Sequence, residues 1–262
     1  MKIKHCIIPL FALMTLASCG GQGPAASSPA ASSPAPAESS EIAVSSSEAV
    51  PTYEAYTLSA LHEARASKTL PSLENKYIAI KGKVTFAKQV RDDDGVLMIQ
   101  SGKFAVEVTY PTTFTVNVGD AVEVKGRFIT NKVGDVVTIW ISTYRSEVPN
   151  SDIKVIDEAI DVETVKIEKL ADLVEFDSSK STIAFEVTSN RKNAAFVGKL
   201  SQGDDEIIVA NRLSIAEKFE EAPYEVGDKV KYDGIFTYAG DETARVLRYF
   251  DKAGFSKANE AE

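Results

Sequence analysis

Eleven residues that recur at a fixed distance constrain this chain more than anything else in it. Val118-Gly119-Asp120-Ala121-Val122-Glu123-Val124-Lys125-Gly126-Arg127-Phe128 returns as Val226-Gly227-Asp228-Lys229-Val230-Lys231-Tyr232-Asp233-Gly234-Ile235-Phe236. Val, Gly, Asp, Val, Gly and Phe match at an offset of 108 residues. A Gly-Asp turn leads into a strand with apolar residues at every second position. The glycine inside that strand permits a bend or bulge. Two copies one small-domain length apart predict two similar β domains.

Charge and rare residues narrow the chemistry. Residues 52–150 hold 12 Lys/Arg and 11 Asp/Glu, whereas 151–262 hold 15 Lys/Arg and 24 Asp/Glu. The second half repels polyanions and the first has no excess to attract them. Cys6 and Cys19 are the two cysteines, which rules out a disulfide framework or cysteine metal site in the folded part. His5 and His62 are the two histidines, which argues against a histidine triad or multi-histidine metal site, and no cofactor is expected.

The N-terminus reads as an address. Met1-Lys2-Ile3-Lys4 is basic, and Ile7 to Leu16 is an apolar run too short for an ordinary membrane span. Leu16-Ala17-Ser18-Cys19-Gly20 follows and resembles the bacterial lipoprotein lipobox. That resemblance implies a signal peptide over 1–18, with Cys19 as the mature N-terminus carrying a diacylglycerol thioether and acyl chains such as palmitate. Several acyl chains hold a protein on a bilayer far better than one. Gly20 after the cysteine is similar to lipoproteins sorted to the outer membrane, which places the folded part in the periplasm. The plainer alternative is an unmodified secreted protein. Residues 19–51, rich in Ala, Ser and Pro, read as a disordered tether with some polyproline II stiffness.

Two folded units are expected, over 52–149 and 150–252, with a polar tail at 253–262. In the first, Thr57 is a plausible N-cap for a helix carrying Leu58, Leu61, Ala64 and Arg65 on one face. Strands are predicted at Tyr77–Phe86, Val96–Gln100, Phe104–Val108, the repeated stretch, and Val136–Ser142. Gly82 is expected to bend the first strand, and Asp92-Asp93-Asp94-Gly95 to form its hairpin turn. In the second, Leu170, Leu173 and Val174 form a short helix. Strands follow at Thr182–Val187, Ala195–Leu200, Glu206–Val209, the repeat, and Ala244–Phe250, with a helix expected at Leu213–Glu220. The bending glycine has no counterpart there.

A helix followed by five strands resembles the OB-fold, a five-stranded partly open Greek-key barrel. More narrowly, Lys76-Tyr77-Ile78-Ala79-Ile80-Lys81-Gly82-Lys83-Val84 and the first copy of the repeat resemble the tRNA_anti-like OB family. The fold class expected is therefore dominantly β with short helices: two tandem OB-like five-stranded Greek-key barrels. The resemblance also implies envelope lipoproteins, although a fold does not fix an activity.

Candidate chemistry is sparse. Asp92–Asp94 and Asp204–Glu206 lack calcium-loop spacing and read as solvated turns. Asp120 and Asp228 read as turn caps rather than catalytic carboxylates. Lys81, Lys83, Lys125 and Arg127 alternate with apolar residues and, with Lys88 and Arg91 nearby, form a modest basic face. Its plainest reading is a solvated strand face. Phe86 and Phe128 fall on the apolar alternation and are expected in the core. Trp140 is the best single stacking candidate if it faces outward, against core or interdomain packing. The usual OB ligand surface predicts contacts near Lys88–Gln100 and Asn131–Asp135. The function expected is a lipid-anchored, non-catalytic binding or scaffold module for an envelope protein or glycan. The alternatives are a single-stranded nucleic-acid-binding protein, disfavoured by charge, and an envelope hydrolase, disfavoured by the histidine shortage.

Overall fold

The computed structural model describes residues 51–133, 136–144, 148, 151–213, 215–240 and 244–258. Cys19, the predicted leader and most of the predicted tether lie outside these residues. The order is β1 (Glu54–Tyr56), α1 (Leu58–Ala66), β2 (Tyr77–Gln89), β3 (Asp94–Ser101), β4 (Phe104–Pro111), β5 (Ala121–Val133), β6 (Val136–Ser142) and β7 (Asp152–Val155). There follow β8 (Val165–Ile167), α2 (Leu170–Glu175), β9 (Lys180–Ser189), β10 (Phe196–Leu200), β11 (Glu206–Asn211), β12 (Lys229–Gly240), β13 (Arg245–Tyr249) and β14 (Phe255–Lys257).

These form two seven-stranded sheets with the same connectivity. In the first, β2 pairs β3, β3 pairs β4, β4 runs parallel to β6, β6 pairs β5, and β5 returns to β2. In the second, β9, β10, β11, β13 and β12 close in the same way, with β11 parallel to β13. This is the five-stranded OB barrel, twice. The repetition extends past the barrels. β1 and β8 each add a parallel strand to the first barrel strand, and β7 and β14 each add an antiparallel one to the fourth. The sheets thus take in 152–155 and 255–257, beyond the unit boundaries suggested by the sequence.

The eleven-residue repeat is the reason the barrels close. Gly119 and Gly227 turn the chain with φ of 101° and 93°, a conformation that suits glycine. Asp120 Oδ2 accepts from Asn117 N at 2.8 Å, and Asp228 Oδ2 from Glu225 N at 2.9 Å, which fixes the turns. Each turn is then pinned to the first barrel strand. Gly119 N donates to Val84 O and Val84 N to Asp120 O; Gly227 N donates to Val187 O and Val187 N to Asp228 O. Val122, Val124, Val230 and Tyr232 are fully buried in the two cores. Gly126 sits where β5 passes from pairing β2 to pairing β6.

The bend in the first barrel strand differs from expectation. The register slips at Thr85 in β2 and at Thr188 in β9, one residue being added at each bulge. Thr85 Oγ1 donates to Met98 O and Thr188 Oγ1 to Val197 O, both at 3.3 Å. The bend therefore needs a bulge and no glycine, so the second barrel lacks a Gly82 counterpart without cost. Gly82 instead gives room for the opposite strand, with a Cβ there 3.2 Å from Ile99 Cβ. The added residue also reverses the inside–outside alternation. Phe86, expected in the core, pairs Met98 on the outer face as a result.

Two further expectations change. The hairpin turns at Arg91–Asp93, and Asp94–Gly95 already belong to β3; Asp94 Oδ1 accepts from Tyr144 OH at 2.8 Å. Among the described residues, 213–220 form no helix. Side chains capture the carbonyls a helix would use: Lys88 Nζ donates to Ile215 O, Asn211 Nδ2 to Ala216 O and Tyr249 OH to Glu217 O. The short helices α1 and α2 do form, α1 with Thr57 Oγ1 accepting from Ala60 N at 3.1 Å.

A Cβ at position 126 would overlap Ile141 Cγ2 and lie 2.6 Å from Ser142 O, a backbone atom that cannot swing aside. Gly126→Ala is expected to destabilise the fold by about 1–3 kcal/mol, as overpacking does. A urea melt unchanged from that of the parent chain would contradict this role.

Candidate functional site

The predicted basic face does not hold together as one site. Lys81 is exposed and bonded to Glu158 at 2.6 Å, and Lys125 lies 3.9 Å from Glu123. Lys83 and Arg127 share that outer face, half-buried. Arg91 is exposed at the hairpin tip, while Lys88 points away toward the second barrel and donates to Ile215 O. Trp140 lies on β6 and lines a cavity between the barrels together with Arg212 and Arg248. Acidic neighbours and the split geometry leave no continuous basic groove along these residues.

The usual OB ligand surface of the first barrel is occupied by the second barrel. Leu97 and Ile99 point into the first core, whereas Val96 and Met98 point outward and are 7% and 0% exposed. Val96 and Met98 pack with Phe86 and Val90 against Ile215, Ile235 and Phe250. The Phe86 and Phe250 rings meet edge-on at 5.1 Å. Burying such side chains stabilises by roughly 1.5–3 kcal/mol each. Polar contacts fix the register of the docking. Gln100 Oε1 accepts from Lys180 N at 2.8 Å, Ser179 Oγ donates to Lys103 O at 2.7 Å, and Arg212 reaches Glu107 at 3.3 Å. The expected contact region at Lys88–Gln100 is therefore an internal joint. In the other, Asn131–Asp135, positions 134 and 135 lie outside the described residues. The missed signal is Val96-Leu97-Met98-Ile99, a continuous apolar run of the kind carried by strands buried on both faces.

The equivalent face of the second barrel is less covered: Val197, the counterpart of Met98, is 6% exposed, but the strand beside it borders a groove. On β11, Glu206 is exposed and Ile208 half-buried. Ile208, Val197, Glu206, Arg191 and Arg245 line a groove of about 420 Å³. Asn190 to Ala195, the connection between the first two strands of this barrel, joins that groove to a hollow of about 710 Å³ lined by Leu213, Lys218, Phe219 and Tyr249. Arg245 Nη1 lies 3.0 Å from Asp205, so the groove mixes charge signs. OB barrels use the face of the second and third strands and the loops joining strands 1–2 and 4–5 for ligands, and Val197, Ile208, Asn190 and Ala244 of the groove belong to those parts. Sequence reasoning missed these residues because Arg191 and Arg245 stand alone in the chain, without periodicity.

Between the barrels lies a buried polar cluster. Arg65 Nη2 donates to Glu175 O at 2.7 Å and to His62 Nδ1 at 2.9 Å. His62 Nδ1 also lies 3.0 Å from Glu175 O; in the neutral ring that accepts from Arg65 at Nδ1, Nε2 carries the proton and donates to Ala105 O at 2.9 Å. Burial, then the Arg65 charge, pull the His62 pKa down to about 4. Burial pushes Asp177 up to about 6 despite Arg65 nearby. Among the described residues no group of three or more His, Cys, Asp or Glu side chains is placed to hold a metal ion.

Strand order and the two joined barrels define a tandem OB-fold protein. No protein-family model and no curated protein sequence matches the chain. Among solved structures it is similar to the second OB-fold domain of replication protein A from Methanococcus maripaludis, at 19% identity and a TM-score of 0.24, over 34% of this chain and 91% of that one. It is similar to an OB domain from Methanosarcina mazei at 13% identity and a TM-score of 0.26, over 33% of this chain and 78% of that one. A murine DNA-binding protein bound with double-stranded DNA is similar at 10% identity and a TM-score of 0.39, over 70% of this chain and 97% of that one. The strand pairing above carries the fold assignment.

His62 yields a pH test. Its folded pKa is lowered, so the unfolded chain binds more protons between about 4 and 6.5, and stability falls as pH falls through that window. Asp177 works in the opposite sense, losing stability as pH rises through about 6. It is common to both proteins when the parent is compared with His62→Gln. From pH 7 to pH 4 the parent is expected to lose up to about 3 kcal/mol relative to the variant in denaturant melts. A difference independent of pH would contradict the buried neutral histidine.

Proposed function

We propose that this is a non-catalytic binding module whose first barrel serves as a platform and whose second barrel carries the ligand face. The observation that carries this reading is the asymmetry between equivalent surfaces. Val96 and Met98 on the second strand of the first barrel pack under Ile215, Ile235 and Phe250, while on the matching strand pair of the second barrel Val197, the counterpart of Met98, and Ile208 border a groove with Arg191 and Arg245. A half-apolar groove with both charge signs suits a protein segment or a glycan. We further propose that Cys19 is lipidated and that 19–51 tether the barrels to an envelope membrane, on the strength of Leu16-Ala17-Ser18-Cys19 and the Ala/Ser/Pro composition. Arg191, Lys192 and Arg245 around the groove favour one other reading, single-stranded nucleic acid. The surplus of Asp/Glu over residues 151–262 weighs against it.

One experiment separates these readings. Mass spectrometry of the mature protein should find Cys19 acylated, and crosslinking in intact cells should give a discrete adduct. Arg191→Glu with Arg245→Glu should reduce that adduct at least tenfold, whereas Lys81→Glu with Lys125→Glu should leave it. Loss only with the second pair would overturn the assignment of the face. Tight, salt-dependent binding of a single-stranded oligonucleotide by the purified protein would favour nucleic acid instead.

A further inference from the structure

The cavity between the barrels is a separate feature from the open groove. It has a volume of about 290 Å³, at the small end of ligand cavities, which run from about 300 Å³ upward. Two ladder pairs face each other across it. Glu107 and Trp140 are partners on β4 and β6 of the first barrel, and Thr237 and Arg248 are partners on β12 and β13 of the second. Arg212 and Asp177 complete the wall.

Most of the charge here is already matched. Arg212 Nη2 lies 3.3 Å and 3.4 Å from the two Glu107 oxygens, and Asp177 Oδ1 accepts from Tyr238 N at 2.9 Å with the Arg65 charge nearby. Two groups are left over. Thr237 is 8% exposed, and its hydroxyl is buried without a hydrogen-bond partner among the described residues. Buried hydroxyls nearly always find one. Arg248 is half-buried, and its guanidinium has no ion pair or hydrogen bond among the described residues. A partly desolvated guanidinium without a counter-charge gains from an anion, and its planar fork matches an oxyanion. Trp140 adds a flat apolar wall.

We propose that this cavity binds a small ring carboxylate. Its carboxylate accepts from Arg248 and from the Thr237 hydroxyl, and its ring lies against Trp140. The Arg212–Glu107 pair remains intact as the back wall. Arg248 itself is shifted down, first by burial and then by Arg212, the condition an anionic ligand relieves.

The chain contains a single tryptophan, so Trp140 emission reports on the cavity directly. Titration of the mature chain with benzoate is expected to change that emission saturably and to raise the melting temperature. Benzamide, the neutral analogue, is expected to bind at least tenfold more weakly. Arg248→Gln should weaken benzoate at least tenfold and Thr237→Val severalfold; the second, nearly isosteric, keeps the test decisive if the first does not fold. Three results would overturn the proposal: no emission or melting change at millimolar benzoate, equal binding of benzamide, or undiminished binding by both variants. A response to inorganic phosphate without one to benzoate would also overturn the ring-carboxylate assignment. None of these readouts depends on the groove of the second barrel, so the two assignments fail separately.

Discussion

The outward face of β3 is the surface on which the arrangement depends. Val96 and Met98 carry apolar side chains on the side of the strand away from their own core, and a half-sheet of that kind cannot stay in water without cost. The second barrel removes them from solvent with Ile215, Ile235 and Phe250. Everything polar at the joint follows from that apposition. Gln100, Ser179, Arg212 and Glu107 are satisfied only because the barrels are in this register. Buried polar groups that must find partners specify one arrangement where apolar contact alone would allow several.

Repetition explains how two barrels come to be alike, and small departures explain why they act differently. Both have a Gly-Asp turn pinned to the first barrel strand, a threonine bulge just beyond it, and flanking strands before and after the barrel. The bulge reverses the alternation in β2, turning Phe86 outward to join the interface. In the second barrel β10 places Val197 where the first has Met98, and β11 beside it carries Glu206, Ile208 and Ala210 on its outer side, a smaller and more polar set that borders a groove. One duplicated scaffold thus provides a docking surface in its first copy and an open groove in its second.

Much of the fold was legible in the sequence. Period-two apolar positions located the strands, the repeat revealed the duplication, and Thr57 announced α1. The bulges were not legible, because a threonine in a strand looks ordinary and its effect is a change of phase, seen only through its partner strand. The loop at 213–220 had helical spacing at Ile215 and Phe219, yet Lys88, Asn211 and Tyr249 took its carbonyls from distant parts of the chain. The candidate site was less legible still. Charge alternation drew attention to Lys81 and Lys125, whose neighbours Glu158 and Glu123 occupy them. Thr237, Arg248 and Trp140 come together only through the docking of the barrels, and no local pattern encodes that.

The outer face of the second and third barrel strands lies beneath the second barrel in the first copy and borders a groove in the second. Single cysteines at Met98 and Ile208, each placed in a chain with Cys6→Ser and Cys19→Ser, test it through the rate of maleimide labelling of the folded protein. Ile208→Cys is expected to label at least tenfold faster than Met98→Cys, which stays protected until denaturant separates or unfolds the barrels. Equal, rapid labelling of both under native conditions would contradict the account.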